Sequence, residues 1–125
     1  MNKYLAEFIG TFFLVLTIGC TVIGHGAGPF APLAIGSVLM VMIFAGGHIS
    51  GGHFNPAVTL GVWLRGKCEA KDVAPYMIFQ IIGAVLAALV VKFLKGEPLL
   101  HRSTRRLHLR FWRSFFSPLP SYTSY

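Results

Sequence analysis

Carboxylates are scarce in this chain: Glu7, Glu69, Asp72 and Glu97 are the whole acidic complement of its 125 residues. Within the apolar stretches only Glu7 and Cys20 carry groups suited to acid–base or nucleophilic chemistry, so the sequence does not read as an enzyme. His48 and His53 lie close together, but two histidines without further ligands fall short of a coordination shell, and no metal or cofactor is expected. The two cysteines, Cys20 and Cys68, form no disulfide framework. Charged residues make up only 12%, and no basic folded module is visible, which argues against a nucleic-acid partner.

What is present is apolar. The hydrophobic fraction is 54% and the mean hydropathy is +0.66, which points to lipid as the solvent and membrane lipid as a partner. The net charge of +7 is misleading when taken globally. Residues 1–100 balance six cations against four acids, and the rest of the excess comes from Arg102, Arg105, Arg106, Arg110 and Arg113.

Three stretches are long and apolar enough to span a bilayer, about 5–23, 30–47 and 73–94. The first, with Lys3 ahead of it, resembles a signal peptide, but it is too long and carries a carboxylate. The third carries Gln80 and the small-residue patterns Gly83-xxx-Ala87 and Ala84-xxx-Ala88, which permit close helix packing. Arg65, Lys67 and Lys71 make the loop before it basic, so that loop and Lys3 are expected on the cytoplasmic side. This orientation puts the N-terminus inside, and Lys92, Lys95 and the arginine-rich residues outside, against the usual bias.

Between the second and third spans lies Gly47-His48-Ile49-Ser50-Gly51-Gly52-His53-Phe54-Asn55-Pro56-Ala57-Val58-Thr59. Asn55 is a favoured N-cap, and Pro56 suits the first helical position because its missing N–H has no partner there anyway. The helix that follows, up to Leu64, is too short to cross a membrane. A capped half-helix between spans brings the positive end of its dipole into the bilayer, which is tolerated where it lines a polar path or is buried in protein. Extended Gly51, Gly52 and His53 are expected to present carbonyl acceptors, with the Asn55 amide as donor. By itself Glu7 could be a carboxylate snorkelling to the membrane edge, although such groups usually have a role.

This loop, together with Ala6-Glu7-Phe8-Ile9-Gly10-Thr11-Phe12 on the first span, resembles the N-terminal half of the aquaporin (major intrinsic protein) family over Leu5 to about Lys95. The resemblance implies an all-α membrane protein: three transmembrane helices plus one re-entrant half-helix at about 48–64, one inverted repeat of a six-helix channel. It implies passive transport of water or small uncharged solutes, and a homotetramer. The pore-lining residues would be Asn55, Pro56, Ala57, Gly51, Gly52, His53 and Ile35. Glu7 would hold the loop by accepting its N–H groups, and His53 would brace it. Ile35 stands where these channels often carry an aromatic or His, so glycerol, urea and ammonia stay open beside water. The compact, uncharged outer connector suggests a bacterial inner membrane.

Residues 97–125 read as an irregular basic tail with no helical period. In a shifted frame the codons for Leu109 through Tyr125 permit Leu-Leu-Ala-Glu-Phe-Phe-Phe-Thr-Phe-Ala-Leu-Val-Tyr-Val-Ile, which repeats the Ala-Glu-Phe-x-x-Thr-Phe pattern of the first span. The expectation is a frameshift after about residue 96 that leaves a truncated half-channel, non-conducting alone. The alternative is a non-functional fragment, or a half-channel that needs a complementary chain.

Overall fold

The computed structural model describes residues 2–24 and 26–96, and all regular elements among them are helical. The expected tail at 97–125 lies outside the described residues. Helix α1 covers Lys3–Val22, capped by Asn2, whose side chain accepts from the Tyr4 N–H. A 3-10 turn at Gly28–Phe30 leads into α2, Ala31–Met42. A π turn at Ile43–Gly47 then continues into α3, the single turn His48–Ser50. After a short loop come α4, Pro56–Leu64, and the long α5, Ala70–Lys95.

Polar contacts at both ends fix how α1 and α5 run. Lys3 Nζ lies 2.7 Å from Asp72 Oδ2, and the Tyr4 hydroxyl donates to Asp72 Oδ1 at 2.8 Å. At the far end Lys95 Nζ donates to the carbonyls of Cys20 and Ile23, each at 2.6 Å. The two helices therefore run parallel, start beside start. Lys95 also satisfies carbonyls that the C-terminus of α1 leaves without helical partners.

Close packing between them depends on Gly83. A Cβ built there would lie 2.6 Å from the Phe8 carbonyl oxygen and 3.3 Å from the Phe12 nitrogen. Gly83 and Ala87 are buried on this seam, whereas Ala88 is exposed. Gly10 serves a different contact, since its missing Cβ makes room for the Phe54 ring of the loop. Gly36 meets nothing within 4 Å among the described residues.

Burial is inverted relative to a soluble domain. The interior holds Glu7, Thr11, Ser50, Thr59, Asp72 and Gln80, while Phe44 and Phe93 are 82% and 86% exposed. Such a surface is favourable only in lipid, where polar groups turn inward to find partners. Lys3–Val22, Gly28–Ser50 and Ala70–Lys95 are each long and apolar enough to cross a membrane.

The helix ends differ from the sequence reading by a few residues, most at two places. The third long helix starts at Ala70 instead of Val73, because Asp72 is tied to Lys3 and Tyr4 and the polar first turn is held in place. The second span stays helical to Ser50, with the π turn Ile43–Gly47 joining α2 to α3.

Gly83→Ala should lower resistance to denaturant-driven unfolding in micelles by about 1–3 kcal/mol, through overpacking against the α1 backbone. Gly36→Ala, inside a helix with open space around it, should leave it unchanged or raise it slightly, and equal effects of the two would contradict the close-approach account.

Candidate functional site

At Ser50 the chain must reverse and enter α4 from within the bundle, and it does so over very few residues. Gly51 and Gly52 take φ of +92° and +67°, the left-handed region that only glycine enters freely. The sequence reading had Gly51, Gly52 and His53 extended; the reversal puts the glycine pair in left-handed backbone, and Asn55 is extended, with φ −156° and ψ 131°. Phe54 also sits at positive φ, +48°, which is uncommon for a residue with a Cβ. Its ring is buried against Gly10, and its N–H is held by Glu7, so two contacts hold the backbone there.

Glu7 is wholly buried and does not snorkel. Its Oε1 accepts from Ser50 Oγ at 2.6 Å and from the His53 N–H at 2.9 Å. Its Oε2 accepts from the Phe54 N–H at 2.6 Å and from Gln80 Nε2 at 2.9 Å. One side chain on α1 thus joins the end of α3, the loop and α5.

A second layer lies behind the loop. Gln80 Nε2 also donates to Thr59 Oγ1 at 2.9 Å, and Thr59 Oγ1 lies 3.2 Å from both the Asn55 carbonyl and His53 Nδ1. The Tyr76 hydroxyl donates to the Ser50 carbonyl at 2.7 Å, and its ring packs edge-on against His53 with centroids 5.2 Å apart. Sequence reasoning noted Gln80 only as a polar residue in a span, and it passed over Ser50, Thr59 and Tyr76. A signal was available: Tyr76, Gln80, Gly83 and Ala87 recur at helical spacing, marking one face of α5 as both polar and close-packed.

Asn55 caps α4 through its side-chain oxygen, which accepts from the Ala57 N–H at 2.8 Å. With Oδ1 engaged, the two Nδ2 hydrogens have no partner among the described residues, and the residue is exposed. Gly51 and Ala57 are exposed beside it, and Gly52, His53 and Pro56 are half-buried. The arrangement places amide donors and the positive end of the α4 dipole beside the backbone of the glycine turn. Ile35 comes from a different element. It lies half-buried on α2, and Gly46, which approaches Ala6 near the loop, is about 16 Å further along at the helical rise per residue.

The family profile described as Major intrinsic protein matches residues 1–117, a range that extends beyond the described structure. Aquaporin Z of Photorhabdus laumondii is 48% identical over 99 residues, covering 73% of this chain and 42% of that protein. Glycerol uptake facilitator protein-like 6 of Lactiplantibacillus plantarum is 48% identical over 93 residues, covering 74% and 43%. Aquaporin Z of Rhodopseudomonas palustris is 46% identical over 95 residues, covering 70% and 39%. The chain spans about two fifths of the length of the curated relatives it matches.

Replacing Glu7 by Gln turns one of its two acceptor atoms into a donor. Some of the four buried donors then lose their acceptor, at about 1–3 kcal/mol for each group left unpaired. Amide hydrogen exchange at His53 and Phe54 should accelerate while α1 and α5 keep their protection. Unchanged exchange at both amides would rule out Glu7 as the anchor of the loop.

Proposed function

The chain belongs to the major intrinsic protein family, and from that premise we propose that residues 3–95 build one half of a passive channel for water or small uncharged solutes. The carrying observation is the exposed Asn55 side-chain NH2, without a partner among the described residues, at the N-terminus of a half-helix set between spanning helices. A molecule of water at this point turns its oxygen toward Asn55, which interrupts proton hopping along a water file. Cations meet the positive end of the α4 dipole. The glycine turn offers carbonyl acceptors, and Pro56 and Ala57 continue the wall. Catalysis plays no part in this reading.

Asn55, Ala57 and Val58 are exposed, so on this reading the path is closed on that side by a second, inverted set of helices. The relatives' names support water and glycerol as candidate solutes. An aliphatic Ile35 favours a filter wide enough for glycerol, urea or ammonia. The family and the bacterial relatives support a homotetramer in a bacterial inner membrane as part of this reading. The shifted frame near residues 97–125 fits the same reading: resequencing from codon 90 should find one base that opens a second Ala-Glu-Phe-x-x-Thr-Phe segment, and an intact frame would remove that part.

Reconstituted in liposomes, the chain alone should shrink osmotically no faster than protein-free vesicles. Added to a chain that supplies the opposite half-helix, it should give rapid water flux and swelling in glycerol. Fast flux from the chain alone would overturn the half-channel reading, and no flux from the pair would overturn the channel itself.

Orientation is testable through Cys68, which lies in the basic loop expected at the cytoplasmic face. Burial pushes its thiol up, and the Asp72 charge adds to this, so less of the reactive thiolate exists at neutral pH. In a Cys20→Ser background, an impermeant maleimide should label Cys68 from the cytoplasmic side only. Labelling should be slower than for an exposed thiol at neutral pH and should climb as pH rises toward the raised pKa.

A further inference from the structure

The proton directions behind the loop can be followed from one side chain to the next. Glu7 Oε2 accepts from the Phe54 N–H, so the atom of Gln80 that faces it must be a donor. That fixes the Gln80 amide with Nε2 toward Glu7 and Thr59, although the orientation leaves Gln80 Oε1 buried without a partner. A buried unpaired acceptor is costly, so the donor contacts made by Nε2 dominate its placement. Thr59 Oγ1 must then accept from Gln80.

A hydroxyl has one proton to give and two lone pairs to receive with. Thr59 Oγ1 has three neighbours: Gln80 Nε2 at 2.9 Å, and the Asn55 carbonyl and His53 Nδ1 at 3.2 Å each. If Thr59 donates to His53 Nδ1, the contact with the Asn55 carbonyl carries no proton. If Thr59 donates to that carbonyl, the common arrangement for a helical threonine, His53 Nδ1 must be the donor. Only the second assignment makes all three contacts hydrogen bonds.

We propose that Gln80 and Thr59 are positioning residues that hold His53 in the tautomer protonated at Nδ1, so that its Nε2 stands beside Gly51 as a bare acceptor. The geometry on the open side agrees. A Cβ built on Gly51 would lie 3.3 Å from His53 Nε2, so Gly51 leaves that nitrogen uncovered, and Nε2 has no hydrogen-bond partner among the described residues. The consequence for transport rests on the channel reading: His53 adds a side-chain acceptor next to the backbone carbonyls of the turn and donates nothing to the passing solute. A solute that needs acceptors for its hydroxyl or amine protons is favoured there.

The test is ¹⁵N NMR of the histidine side chains in lipid bilayers, with His53 assigned by its loss in His53→Gln. Shifts and N–H couplings distinguish a protonated ring nitrogen from a bare one, and they do not depend on whether the chain conducts. In the unaltered chain, His53 should show a protonated Nδ1 and a bare Nε2. Thr59→Ser keeps the hydroxyl and should keep this signature, whereas Thr59→Val should lose it as protonation passes to Nε2. A protonated Nε2 in the unaltered chain, or an unmoved signature in Thr59→Val, overturns the proposal and leaves the channel reading to the flux measurements.

Discussion

A carboxyl group buried on the first helix organises everything around it. Glu7 gathers a hydroxyl, two loop N–H groups and a side-chain amide, and these donors come from three different parts of the chain. In a bilayer none of them could turn to water instead, so each must be met inside the protein. The geometry of α1, the loop and α5 is therefore mutually dependent. The loop can leave helical hydrogen bonding because Glu7 replaces what it gives up.

The same economy of partners explains the inverted distribution of side chains. Large apolar residues cover the outside, and among the described residues the interior combines hydrogen-bonded Glu7, Ser50, Thr59, Asp72, Tyr76 and Gln80 with small side chains and the Phe54 ring. Gly83 brings α5 close enough to α1 for Gln80 to reach Glu7, and Gly10 opens the space that Phe54 fills. Lys3, Asp72 and Lys95 pin the two ends of the pair, so Gln80 cannot slide past its partner. Small residues and end contacts thus determine the position of an amide deep in the protein.

Much of this is legible in the amino-acid sequence. Low charge, three long apolar runs and the absence of polar clusters define an all-helical membrane protein. The motif around Asn55, read together with Ala6-Glu7-Phe8, defines the family. Asn-Pro ahead of an apolar run favours a helix start, because both residues act through their own local chemistry. Other features resisted reading for a physical reason. The left-handed conformation of Gly51-Gly52 depends on where the chain must go next, and glycine permits extended backbone equally well. Tyr76 and Thr59 look like ordinary residues of apolar helices until partners from distant segments arrive beside them.

The sequence by itself determined the solvent, the number of spanning segments, the family and the cap of the half-helix, since these follow from composition and from interactions between near neighbours. Only the tertiary structure decided which atoms face which. The pairing of α1 with α5, the reversal at the glycine turn and the relay from Glu7 through Gln80 and Thr59 to His53 join residues 21 to 75 positions apart or across a turn. Their partners are chosen by packing, and a hydrogen bond has direction only once both of its ends are in place.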